Sequence, residues 1–247
     1  MKYRILLFDV DNTLLDFDAN EEESFRLMME DMGETWTKEI YQTYKQLNTR
    51  LWKRIEKGEI TVDEGVNRRF ADLMALYGKA VDGPDWERAY RRHLNQGVQE
   101  IPGVHPVLKR LKESCELYVI TNGIQQTQES RMARSGLDQY FKDMFISGRV
   151  GAGKPSKEFF DHVKDHIERF EPKEALVIGD SLSSDIKGGI DAGIPTCWFA
   201  RGKDGRARER ELKDSGLCPD HVIGELTELF AVQGEPTARL SGYPGGF

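Results

Sequence analysis

Ile5-Leu6-Leu7-Phe8-Asp9-Val10-Asp11-Asn12-Thr13 carries an apolar run straight into two carboxylates. The apolar part of residues 3–10 has the length and unbroken hydrophobicity of a strand buried on both faces of a parallel sheet. In an open parallel sheet, loops at the C-terminal ends of the strands form the ligand crevice, so the acids sit where function is expected. Two carboxylates two residues apart, directly after buried chain, are costly without a cation. A hard divalent cation such as Mg²⁺, with its preference for oxygen ligands, removes that cost. Taken alone, the motif could equally be a loop of turn and helix-capping residues.

The chain beyond this strand divides into two kinds of sequence. From residue 16 to about 99 it is charged, rich in Glu, Arg, Leu, Met and Tyr, and free of strand-like alternation, which predicts about four helices. Gly33, Gly58, Gly78 and the Asp82-Gly83-Pro84 turn punctuate them. After Pro102-Gly103 helices alternate with short apolar strands. Helices are expected over 104–112, 127–135, 157–169 and 185–192, and strands over 117–121, 144–147, 175–179 and 196–199. That alternation predicts an α/β fold, a Rossmann-like parallel sheet with helices on both faces. The helical block falls between the first strand and the rest, so it is an insertion. The expected organisation is an α/β catalytic core of residues 1–15 plus 100–231, a helical cap of 16–99 and a C-terminal tail of 232–247. The charge-dense stretch 201–211 reads as a solvated loop and helix start.

Composition narrows the function classes. Hydrophobic residues make up 38% of the 247 and charged residues 31%, as in globular proteins. A net charge of −7 argues against broad nucleic-acid or anionic-membrane binding, both of which need a positive field. It leaves room for an anionic small molecule held by a local cation. Cys115, Cys197 and Cys218 are odd in number and widely spaced, so neither a zinc site nor a disulfide framework is indicated. With no signal peptide or membrane span in view, the expected location is the cytoplasm.

Three more motifs lie at the ends of expected strands. Thr121-Asn122-Gly123 offers a hydroxyl, an amide and backbone N–H groups that could cradle a phosphate at a helix start, although a helix cap is its plainer use. Lys154, in Gly151-Ala152-Gly153-Lys154-Pro155, could neutralise a phosphate and a neighbouring carboxylate; Pro155 after the lysine rules out a Walker loop and is expected early in the next helix. Gly179-Asp180-Ser181-Leu182-Ser183-Ser184-Asp185 again sets two acids after a buried strand. Asp180 can ligate a metal. Asp185 can serve the same site through a water or by orienting donors, and can cap its helix as well.

In this order the four motifs resemble the haloacid-dehalogenase-like phosphohydrolase superfamily, over roughly residues 3–231, and the helical insertion resembles the cap of one of its classes. Asn12 stands where many members have Gly, and Arg149-Val150 replaces an acidic residue plus Val. The resemblance implies a Mg²⁺-dependent phosphatase acting on a small-molecule phosphate ester. Asp9 would be the nucleophile and Asp11 the acid, then the base. Lys154 with the donors of Thr121 and Asn122 would offset phosphoryl charge, and Mg²⁺ would be held by Asp9, the Asp11 carbonyl and Asp180. Asn48-Thr49-Arg50-Leu51-Trp52, Lys57-Gly58-Glu59-Ile60-Thr61 and Gly188-Gly189-Ile190-Asp191-Ala192-Gly193, with Thr196-Cys197-Trp198, look like the pyrimidine 5′-nucleotidase branch. Asn48 and Trp52 thus become candidate substrate contacts, although a helix-surface Asn and a cap-core Trp are the plainer readings. A sugar-phosphate phosphatase or mutase would keep the same core residues. A dehalogenase would need neither Mg²⁺ nor Asp11, and a non-catalytic protein on this fold would be expected to lose one of the four charged groups.

Overall fold

A computed structural model describes residues 1–235 of the chain. In chain order the elements are β1 (Ile5–Phe8), α1 (Phe17–Asp31), α2 (Lys38–Glu56), α3 (Val62–Ala75), α4 (Gly83–Leu94), α5 (Val104–Leu111), β2 (Glu116–Thr121), α6 (Gln125–Ser135), β3 (Asp143–Ile146), α7 (Ser147–Val150), α8 (Lys157–His166), β4 (Ala175–Gly179), α9 (Lys187–Asp191), β5 (Thr196–Phe199), α10 (Gly205–Ser215), β6 (His221–Ile223) and α11 (Leu229–Val232). The strands form one parallel sheet in the order β3-β2-β1-β4-β5-β6. The chain leaves β1 toward one edge and returns to β4 on its other side. The β1–β4 junction is therefore the switch point where a crevice opens.

Alternation along the strands explains their unbroken hydrophobicity. Leu6, Phe8, Leu176 and Ile178 enter one core with α5 residues Val107, Leu108 and Leu111. Ile5, Leu7, Ala175 and Val177 enter the opposite core with Phe159, Phe160 and Val163 of α8. Both faces are covered, as period-two side chains in a parallel sheet require. Helices α1 to α4 build a third core around Phe25, Tyr44, Phe70, Trp86 and Tyr90. Helix α10 buries no side chain, in keeping with a solvated stretch.

The structure differs from the sequence reading at several places. A sixth strand, β6, is only three residues long, too short for its alternation to stand out. The helix expected over 185–192 begins earlier, as a π-helical turn over Leu182–Ile186. Pro155 precedes the helix it was expected to enter; Ser156 is the N-cap of α8, accepting from the Phe159 N–H at 3.3 Å. Residues 236–247 of the expected tail lie outside the described residues. Gln233, near its start, is 3% exposed and pairs with the backbone of Tyr3 in both directions, at 2.8 and 3.0 Å. No helix among the described residues is long and apolar enough to cross a membrane.

Asn12 has φ +58°, the left-handed region where L-residues other than Asn and Asp are rare. Its amide N–H reaches the Leu15 carbonyl at 2.7 Å, and its side-chain oxygen accepts from the Asp18 N–H at 3.1 Å. Asparagine, whose short polar side chain bonds locally, thus meets the backbone demand of this turn. Asn12→Val should cost about 1–2 kcal/mol in urea unfolding, the strain of a left-handed β-branched residue. Asn12→Gly should cost clearly less, and equal losses would show that the turn is not what this position decides.

Candidate active site

The switch point gathers the four motifs. Asp9 follows β1, Thr121 ends β2, Asp180 follows β4, and Lys154 lies between α7 and α8. Lys154 is 2% exposed. Its Nζ donates to Asp9 Oδ1 at 2.6 Å, to Asp185 Oδ1 at 2.6 Å and to the Ile120 carbonyl at 2.8 Å. Burial alone would push this ammonium's pKa down, but Asp185 and Asp9 carry it above its ordinary value. One cation shared by two acids leaves each under-compensated. Burial, opposed by Lys154 and reinforced by Asp185, Asp180 and Asp11, pushes the Asp9 carboxyl well above the usual carboxylate range. Asp180 is raised to about 7 by burial and then by Asp185, with Lys154 opposing.

Backbone geometry fixes these groups. Gly179 permits the approach of Asp185, since a Cβ there would lie 2.2 Å from Asp185 Oδ2. The Ser181 N–H donates to that same oxygen at 3.0 Å. The Trp198 indole donates to the Asp180 carbonyl at 2.8 Å, tying β5 to the acid loop. Asn122 clamps the lysine loop: its amide donates to the Lys154 carbonyl and accepts from the Lys154 N–H, both at 2.7 Å. The Asn122 side chain thus holds the lysine loop while it also lines the cavity, and the Thr121 hydroxyl, which accepts from the Gly123 N–H at 3.0 Å, keeps its own proton free to donate.

Carboxylate oxygens of Asp9, Asp180 and Asp185 lie within 4.8 Å of one another. Three acids with one ammonium among them carry excess negative charge, and an all-oxygen donor set suits a hard divalent cation. Asp185, with its oxygens held by Lys154 and Ser181, is mainly the anchor of the lysine. The Asp11 carboxylate turns away from this cluster toward α6, so only its backbone could join the ligand set.

A cavity of about 310 Å³ lies between these residues and the inserted helices, reaching Asn48, Trp52, Arg69 and Arg91. Asn48 is 6% exposed; its Nδ2 donates to Glu21 Oε1 at 2.8 Å and its Oδ1 accepts from Arg69 Nη1 at 3.0 Å. Arg69 is also bidentate on Glu87, at 2.8 and 3.0 Å, and Glu87 pairs with Arg91. Arg91 reaches across to the Thr127 hydroxyl of α6 at 3.3 Å. Trp52 is half-buried on the cavity wall and absent from the aromatic cap core, against its plainer sequence reading. Glu56, one turn further along α2, accepts from Ser183 at 3.4 Å, and burial pushes its carboxyl up. The sequence reading missed Glu56, Arg69, Arg91, Gln128 and Arg131. For the last two a signal existed: both lie on the helix that follows Thr121-Asn122-Gly123, three residues apart and so on one face.

Comparison with known proteins shows the family of the chain. Residues 3–193 match the model of the haloacid dehalogenase-like hydrolase family. The chain is 41% identical over 231 residues to the HAD-hydrolase YfnB of Bacillus subtilis, covering 94% of this chain and 95% of that one. A crystal structure of YfnB bound to magnesium, described as revealing interdomain movement, superposes with a TM-score of 0.88 at 40% identity, over 95% of this chain and all of that chain. The pyrimidine 5′-nucleotidase PynA of Streptococcus pneumoniae is 39% identical, over 81% of this chain and 84% of its own. The pyrimidine 5′-nucleotidase YjjG of Escherichia coli is 31% identical, over 93% and 97%.

The raised carboxyl of Asp180 sets a pH dependence. With a folded value of about 7 against an ordinary 3.8, the folded chain holds more protons than the unfolded one between those pH values. Metal-free stability should therefore fall as pH rises through that window. A divalent cation relieves the repulsion, so Mg²⁺ should raise Tm more at about pH 8 than at about pH 5.5, because protons compete for the same oxygens. Differential scanning calorimetry in EDTA and in Mg²⁺ reads both effects; equal increments at the two pH values would refute the assignment of the cluster.

Proposed function

The chain belongs to the haloacid dehalogenase-like hydrolase family and is a phosphoric monoester hydrolase, and from that premise we propose that it cleaves pyrimidine nucleoside 5′-monophosphates with Mg²⁺ through a phosphoaspartate on Asp9. The observation that carries the reading is the contrast between the two ends of the cavity. Its floor holds the acids, Lys154 and Thr121, and its roof holds donors and aromatic rings. Asn48, Arg69 and Arg91 suit the ring carbonyl that all pyrimidine bases share, and Trp52 and Phe17 offer faces for stacking. A volume of about 310 Å³ lies at the small end of ligand cavities, which favours a one-ring base. Two relatives named as pyrimidine 5′-nucleotidases support the same choice.

The residues take these roles. An Asp9 oxygen bonds to phosphorus as the ester P–O bond breaks, and the leaving oxygen takes its proton from Asp11. Asp11 then takes a proton from the water that attacks the phosphoaspartate, and the bond to Asp9 breaks. Lys154 and the Thr121 hydroxyl stabilise phosphoryl charge, Asn122 and Asp185 hold Lys154 in place, and residues 16–99 act as the cap over a core of 1–15 and 100–231. Asp9, Asp180 and the Asp11 carbonyl would hold Mg²⁺, which when bound supplies Lewis-acid charge beside the phosphoryl oxygens.

Two measurements test the reading. Asp9→Asn should abolish turnover while the far-UV spectrum and cooperative unfolding persist; turnover near wild type would sink the covalent route. Values of kcat/KM for dUMP and dTMP should exceed those for dGMP and AMP by about 10–200-fold, the range that pocket contacts achieve. Preference for purine nucleotides or sugar phosphates would overturn the substrate class and leave the hydrolase assignment standing.

A further inference from the structure

Helix α6 sets two side chains with no role so far against Asp11. Arg131 is fully buried, and its Nη1 donates to Asp11 Oδ1 at 2.5 Å and to Gln128 Oε1 at 3.2 Å. Gln128 is 1% exposed, and its Nε2 donates to Asp11 Oδ2 and to the Thr121 hydroxyl, both at 2.9 Å. One helix therefore grips both oxygens of Asp11, and one amide ties that carboxylate to the phosphate-facing hydroxyl. Gly123 makes room for this, since a Cβ there would lie 2.5 Å from the Gln128 amide.

Packing alone does not account for this arrangement. Arg131 Nε and Nη2 are buried without a partner, and Asp11 is the one carboxylate paired with this guanidinium among the described residues. The guanidinium also lies over the Phe17 ring, 5.4 Å from its centroid, which offsets part of its burial, but two idle donors remain costly and an apolar side chain at this helical position would avoid that cost. The clamp has a chemical use instead. Asp11 stands two residues from Asp9, and a free carboxylate there could swing into the acid cluster and become a further ligand.

We propose that Arg131 and Gln128 are positioning residues that keep the Asp11 carboxylate out of the metal cluster and fix the point from which it exchanges its proton with the leaving oxygen. The inference rests on the role given to Asp11 above. The bonds made and broken are those of that cycle, and neither Arg131 nor Gln128 takes part covalently.

Leaving groups separate a positioning role from a structural one. An alkyl phosphate such as dUMP expels an oxygen that needs a proton, whereas p-nitrophenyl phosphate expels one that does not. In single-turnover experiments with Mg²⁺, Arg131→Met and Gln128→Leu should slow phosphoenzyme formation from dUMP by about 10–100-fold, part of the 10²–10⁴-fold that a placed proton carrier supplies. Formation from p-nitrophenyl phosphate should change far less, and Arg131→Lys should restore part of the loss. An equal loss on both esters, or none on dUMP, overturns the proposal. A second measurement needs no turnover. In metal-free protein, Asp11→Asn should lower Tm by stranding the guanidinium, and adding Arg131→Met should recover part of that loss; strictly additive changes overturn the pairing. Failure of the wild type on every phosphate ester would count against the functional reading, and the Tm cycle would still decide the clamp.

Discussion

One buried ammonium organises this active site. Lys154 is almost fully buried with three acceptors around it, and the cost of removing its charge from water is offset because Asp9 and Asp185 approach together. That demand sets the local backbone. Position 179 must lack a Cβ so that Asp185 can close in, and position 153 lies close under the Asn122 amide, where a Cβ would stand 2.9 Å from Oδ1. Asn122 then fixes the lysine loop by its backbone, so the cation's position does not depend on a flexible side chain alone. The lysine loop, strand β2 and the segments that follow β1 and β4 are tied together through one nitrogen.

The same constraint explains the charge state of the pocket. An ammonium shared between two acids satisfies neither, and Asp180 adds a third that forms no ion pair among the described residues, with Lys154 only partly opposing its rise. Burial and mutual repulsion push the Asp9 and Asp180 carboxyls up together. In the function proposed above, a divalent cation would find these oxygens already gathered. The roof of the cavity follows a different rule. Its ions are paired among themselves through Glu21, Asn48, Arg69, Glu87 and Arg91 and surrounded by aromatic rings. That network fixes the direction of donors without leaving much net charge to attract anions.

How much of this was legible follows from the range of each interaction. The residues at strand ends could be read directly, since a parallel sheet carries its ligands there and the apolar runs of β1, β4 and β5 mark the strands. Strand β6 was hidden by its length, and the π-helical turn by the lack of any periodic signal over five residues. Asn122 was read by its type as a phosphate donor; its bonds to the lysine loop could not be read, because that loop lies 32 residues away on a path only the fold determines. Trp52 followed the rule that aromatic residues seek the interior, and the cavity reverses it. Arg69 and Arg91 were not singled out: the four-residue spacing of Glu87 and Arg91 marks an ordinary helix-face pair, and only the fold brings Arg69, 18 residues before Glu87, onto the same carboxylate.

Asp11 shows why a motif can give the residue and miss its environment. Its spacing from Asp9 suggests that two carboxylates act on one cation, and chemistry would allow that. The fold instead separates them by sending alternate side chains of the loop in different directions, Asp9 to Lys154 and Asp11 to α6. In the mechanism proposed above, that separation lets two neighbouring acids of the same type serve as nucleophile and proton carrier without exchanging roles, because each is held by a different cation from a different element. What distinguishes them is the partner waiting at each position: a lysine shared with a second acid for one, and for the other an arginine that has no other carboxylate partner among the described residues.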